Sequence, residues 1–135
     1  MAKGFYFGVV SKQAKLLYQI FSLTHSRIYL CQGKNDKGFG REGAYKILDF
    51  NSDEGDSILV YKHVFGLDKK VKLKTVASKK TLKKASKTNN PFVYDEKKGF
   101  LYFNENGKEK GWGDGGLFVK LQGAPELGIN DFTIV

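Results

Sequence analysis

Apolar residues recur along this chain in short alternating runs, not at the three-and-four spacing of long amphipathic helices. Residues 5–10 read as a strand and 11–15 as a turn. Residues 16–23 suit a helix or a strand, because Tyr18, Ile20 and Phe21 serve either pattern. In 27–31, Ile28 and Leu30 alternate with Arg27 and Tyr29, which predicts a half-buried strand. A glycine- and charge-rich loop fills 33–43, followed by a strand at 45–50, a tight acidic turn and a strand at 56–61.

Residues 71–76 alternate again, with Lys72 and Lys74 outward and Val71, Leu73 and Thr75 inward. Over 79–85 a short helix and a basic loop are equally open, since only Leu82 and Ala85 could be buried. Strands follow at 92–94, 100–104 and 117–121, with a hairpin loop at 95–99 closed by Gly99 and a turn at Asn106–Gly107. The loop at 111–116 is rich in glycine and demands unusual backbone angles. Residues 131–135 close the chain as a strand. The segments beginning Ser26-Arg27-Ile28, Tyr45-Lys46-Ile47 and Asp56-Ser57-Ile58 resemble one another, as successive parallel or coiled strands would. The expected fold is all-β: one domain over 1–135, a β-roll or β-sandwich-like arrangement with short strands and glycine-rich turns.

Composition agrees. The 135 residues fit one domain, and 16 Gly against 2 Pro favour tight turns over long helices. The 11 Phe and 7 Tyr suit strands. Cys31 is the single cysteine, which excludes an intrachain disulfide and a thiolate zinc cluster. No apolar run approaches membrane-spanning length. Residues 5–10 are short for the apolar core of a signal peptide, and no small-residue cleavage site follows.

Charge changes the picture more. The net charge is +9, but residues 49–61 carry four acids and no base, whereas 62–87 carry ten Lys and one acid, Asp68. The acidic knot is Asp49-Phe50-Asn51-Ser52-Asp53-Glu54-Gly55-Asp56. Calcium takes six to eight hard oxygen ligands in flexible geometry. Asp49, Asn51, Asp53 and Asp56 on a corner bent by Gly55 are the candidate ligands for Ca2+. The turn is no EF-hand: its glycine falls one place late, and the twelfth position is Val60. An ordinary polar turn between strands is the other reading.

The basic block makes Lys69, Lys70, Lys72, Lys74, Lys79, Lys80, Lys83, Lys84 and Lys87 candidates for binding a polyanion: an acidic polysaccharide, an anionic surface or nucleic acid. A solvated lysine face that keeps a β protein soluble is the alternative. No aromatic lies among these lysines, which speaks against base stacking and so against nucleic acid. Gly38, Gly40 and Gly43 match a dinucleotide fingerprint, but a strand follows where a helix is required. His25 and His63 stand beside no nucleophile in sequence, Glu105, Glu109 and Asp114 read as solvated, and Trp112 reads as a cap on the core. The chain is expected to be no enzyme.

From Tyr45-Lys46-Ile47-Leu48-Asp49-Phe50 through Gly55-Asp56-Ser57-Ile58-Leu59, the chain resembles the C-terminal region of hemolysin-type calcium-binding (RTX) proteins. The likeness continues at Val64-Phe65-Gly66-Leu67, Phe92-Val93-Tyr94-Asp95, Gly99-Phe100-Leu101-Tyr102-Phe103-Asn104 and Asn106-Gly107. It ends with Gly111-Trp112-Gly113-Asp114-Gly115-Gly116, Gly123-Ala124-Pro125 and Asp131-Phe132-Thr133-Ile134-Val135. It covers roughly 45–135; residues 1–44 resemble no family. The glycine-aspartate nonapeptides are absent, and the chain is basic where the family is acidic. The resemblance implies a calcium-associated extracellular cap, exported by type I secretion machinery that reads an uncleaved tail, here Asp131, Phe132, Thr133, Ile134 and Val135. A cytoplasmic protein is the alternative.

Overall fold

The computed structural model describes residues 4–8, 17–21, 27–31, 44–60, 62–67 and 72–134. The described chain is mostly strand. In order come β1 (Gly4–Gly8), β2 (Leu17–Phe21), β3 (Arg27–Cys31), β4 (Tyr45–Ile47), β5 (Ser57–Val60), a one-turn helix α1 (Lys62–Phe65) and β6 (Leu73–Val76). Then follow helix α2 (Lys79–Ala85), β7 (Phe92–Asp95), β8 (Phe100–Phe103), β9 (Gly116–Leu121) and β10 (Phe132–Ile134).

Two five-stranded mixed sheets result, ordered β1-β2-β3-β5-β10 and β4-β9-β8-β7-β6. In the first, β3, β5 and β10 run parallel, and β1 and β2 add an antiparallel extension. In the second, β4 pairs parallel with β9, and β6 parallel with β7. The chain thus passes β3, β4, β5 by changing sheet at each step, and β9, β10 by changing sheet once more. The similar segments at 26, 45 and 56 are these three successive strands.

Within the ambiguous 16–23 segment the described residues, Leu17–Phe21, are strand: β2 is paired on both sides, so tertiary hydrogen bonding overrides the pattern. The strand expected over 45–50 stops at Ile47, whose carbonyl accepts from the Gln122 N–H (2.9 Å), and Leu48 turns out to solvent at 47% exposure. The strand at 71–76 starts at Leu73; Thr75, expected inward, is exposed, and Val76 is buried instead. Val9, Val10, the turn at 11–15 and the loop at 33–43 lie outside the described residues, as do Lys69, Lys70, Val71 and Val135.

One core joins the two sheets. Tyr45, Ile47, Phe92, Leu101, Phe103, Phe118 and Leu121 come from the second sheet, Ile58, Val60 and Phe132 from the first. Phe92 stacks on Phe132 at 5.1 Å, linking β7 to β10. Phe65 of α1 meets Phe103 edge-on at 4.9 Å. Each buried ring contributes about 1.5–3 kcal/mol through burial, and each well-placed ring pair about 0.5–1.5 kcal/mol more. A smaller cluster of Val76, Ala85 and Val93, with Leu82, Tyr102 and Trp112 against it, holds α2 on the second sheet.

Candidate functional site

The acidic turn closes on itself. Asn51 caps a 3-10 turn (Ser52–Glu54): its Oδ1 accepts from the Asp53 N–H at 3.0 Å. Its own N–H donates to Asp56 Oδ2 at 2.9 Å, and its carbonyl accepts from the Asp56 N–H at 3.2 Å. Gly55 takes φ 80°, the left-handed bend a glycine adopts without cost from a Cβ. Asp56 is 2% exposed, whereas Asp49 and Asp53 are exposed. Of the four sequence-derived calcium ligands, Asn51 is thus tied to Asp53 and to Asp56 by hydrogen bonds between side chain and backbone, which use Asn51 Oδ1 and Asp56 Oδ2 as acceptors of N–H groups. Among the described residues no group of three or more His, Cys, Asp or Glu converges as a metal site would. Two of the polar side chains have a local reason: Asn51 and Asp56 supply acceptors to backbone N–H groups that the turn's own carbonyls do not take up.

Residues 131–134 are part of the fold. Asp131 Oδ2 accepts from the Gly128 N–H (2.8 Å), and Phe132 is 8% exposed. Thr133 Oγ1 lies 2.6 Å from Ser57 Oγ, across the parallel β5–β10 pair. Ile134 packs against the main core.

The basic block becomes a coherent surface. β6 and β7 are parallel neighbours joined by α2, a strand–helix–strand crossover at the edge of the second sheet. α2 begins because Ser78 caps it reciprocally: Ser78 Oγ accepts from the Thr81 N–H, and Thr81 Oγ1 accepts from the Ser78 N–H. Lys83 and Lys84 occupy its last turn, where the helix dipole favours cations. Lys72, Lys74, Lys79, Lys80, Lys83, Lys84 and Lys87 are all exposed, and none forms an ion pair with a described acid. No Asp or Glu occurs between Lys72 and Asp95 to neutralise them.

Where the crossover leaves α2, Asn104 holds it. Its Nδ2 faces three backbone carbonyls, Ser86 at 3.2 Å, Thr88 at 2.7 Å and Gly107 at 2.9 Å, and the residue is 4% exposed. Trp112, expected to cap the core beside its loop, stacks on Tyr102 at 4.9 Å against the smaller core cluster beneath α2. Glu105, read as solvated, has a structural contact: its Oε2 accepts from the Asp114 N–H at 3.0 Å inside the glycine-rich loop.

A groove of about 380 Å³ runs between β6 and α2, with Lys74 and Lys84 on its rim, Val76 and Ala85 in its floor, and Glu96 at its border. Sequence reasoning located the lysines but neither the groove nor the Asn104 clamp. Both depend on residues brought together from separate segments; the only sequence signal was the pair Leu82 and Ala85 on an otherwise polar stretch. No family model matches the chain, nor does any curated protein or solved structure.

Proposed function

We propose that the protein is a binding module for acidic polymers, with the β6–α2 crossover as its contact surface. The observation that carries this is the array of seven exposed lysines, unneutralised among the described residues, on one strand–helix–strand unit. Unpaired surface lysines attract a polyanion through its condensed counterions, so binding weakens steeply with salt. Lysine supplies point charges without the planar fork that reads bases or guanidinium-specific partners, which suits a partner recognised by charge density.

The test is retention on immobilised heparin and on single-stranded DNA across a salt gradient. Changing Lys79, Lys80, Lys83 and Lys84 together to Gln should move heparin elution to markedly lower salt, with stronger retention on heparin than on DNA in the parent. Elution of the parent near background salt on both columns would overturn the reading.

The alternating path β3-β4-β5, resumed at β9-β10, supports a finer view of the fold as a short rolled coil, extended by a hairpin on one sheet and by β6–β8 on the other. The reading of the chain as a secreted cap of the resembled RTX type, with export information in 131–135, rests on the sequence resemblance alone. The self-bonded acidic turn adds no support for calcium.

A further inference from the structure

We infer that the β6–α2 groove is a binding site for a small amphipathic organic anion: a carboxylate head with an apolar body, held head-first at the Lys74–Lys84 end. Its volume of about 380 Å³ falls within the range of small-molecule pockets. The inference goes beyond binding of acidic polymers and rests on different features, the groove's floor and its polarity along its length.

The polarity follows from topology. Phe92, at the start of β7, pairs with Leu73, at the start of β6. The chain leaving β6 at Val76 must therefore travel back along the strand through α2 before β7 begins. The end of α2, with Lys84 and Ala85, accordingly lies toward Lys74, and its beginning lies toward Ala77. Glu96 sits at that second end, because its N–H donates to the Val76 carbonyl at 2.9 Å. Two strand residues, about 7 Å, separate Lys74 from Val76. Of the charged residues lining the groove, Lys74 and Lys84 thus sit at one end and Glu96 at the other.

Between the ends it is apolar, more so than its residue types suggest. Val76 and Ala85 are each 4% exposed and form the floor. The hydroxyl protons of Thr81 and Thr88 are committed to the backbone carbonyls of Ser78 (2.9 Å) and Ala85 (2.7 Å). A sugar ring would find few free hydrogen-bonding partners there, whereas an alkyl or aryl body loses nothing by entering. The lysines select an anionic head, and Glu96 repels a second negative charge at the far end.

The probe is octanoate, titrated into the 15N-labelled protein and followed by NMR, with acetate, octanol and octylammonium as controls. Saturable shifts should centre on Val76, Ala77 and Ala85, with affinity at least about fivefold above that of octylammonium, as expected for selection by charge. Ala77→Leu, at an exposed lining position, should abolish the shifts while leaving heparin retention intact. Lys74→Gln with Lys84→Gln should weaken octanoate about fivefold or more, and Glu96→Gln should not weaken it. Shifts no larger than acetate's, or undiminished in both Ala77→Leu and the double Gln variant, would overturn the proposal. Octanoate binding in a protein that heparin does not retain would sustain this site and remove the polymer reading alone.

Discussion

Replacing Asn104 by Ala removes the donor that three backbone carbonyls share. Two of the contacts, to Thr88 at 2.7 Å and Gly107 at 2.9 Å, have full hydrogen-bond geometry, and the third, to Ser86, is 3.2 Å. An amide has two protons, so two bonds are lost, each with a net contribution of about 1 kcal/mol. The carbonyls left facing a 4%-exposed site add a desolvation cost of about 1–3 kcal/mol. The expected loss is about 3–5 kcal/mol, a fall in Tm of roughly 10–15 °C for a domain of this size. The orientation of the amide is settled by its surroundings, since a flipped Asn104 would set an oxygen against three oxygens. For the same reason Asn104→Asp should be worse than Ala at neutral pH. Its carboxyl would be held protonated in the folded state, with its pKa raised. The Asp variant should therefore lose stability, relative to the parent, as pH rises from about 4 to 7. Urea unfolding read by circular dichroism and by the fluorescence of Trp112, the single tryptophan, measures both the total and the local effect. An Ala variant within about 0.5 kcal/mol of the parent, a change typical of featureless surface sites, would refute the clamp.

Three further outcomes are expected. Burial, reinforced by the charges of Asp95 and Glu96, raises the Tyr94 pKa to about 12, and its hydroxyl donates to the Pro125 carbonyl. The unfolded chain loses this proton near pH 10 and the folded one near 12, so stability should be whole below pH 10 and fall by up to about 3 kcal/mol as pH rises to 12; in Tyr94→Phe, alkaline melts should show a shallower slope. Gly99→Ala places a Cβ 2.2 Å from the Leu121 carbonyl oxygen at φ 73°, whereas at Gly123 (φ 82°) nothing lies within 4 Å, so thermal melts should show a cost of about 3 kcal/mol or more for the first and about 1 kcal/mol for the second. Asp56→Ala leaves the Asn51 N–H without its acceptor and should cost about 1–3 kcal/mol, while Asp53→Ala costs under about 0.5 kcal/mol; the two melting curves, with calcium or with a chelator, should keep this order.

Several elements were legible in the sequence because their causes are local. The alternation at 27–31 and the apolar, aromatic runs at 100–104 and 117–121 mark strands, and each is a strand in the fold, within a residue at either end. Gly99 closes the 95–99 turn, donating its N–H to the Asp95 carbonyl at 2.8 Å, because the φ the turn needs is open to glycine. The acidic knot at 49–56 was visible as composition, but composition does not say whether oxygens face one another or the backbone. That depends on where Asn51 N–H and Asp56 Oδ2 come to lie, a matter of turn geometry. α1 escaped notice because Lys62–Phe65 is one turn, too short to show a period.

By itself the sequence determined the mostly β character, the sites of the tight turns and a stretch of lysines without acids. These follow from side-chain alternation, backbone freedom and formal charge, each a property of neighbours along the chain. Tertiary structure alone decided which strands run parallel, that β2 is a strand, and that lysines of β6 and α2 share a rim over Val76 and Ala85. It also decided that Asn104 would reach Ser86 and Thr88, 18 and 16 residues away. Such pairings carry no local signature, because hydrogen bonds and packing between distant segments are selected by the one arrangement that satisfies all the buried groups together.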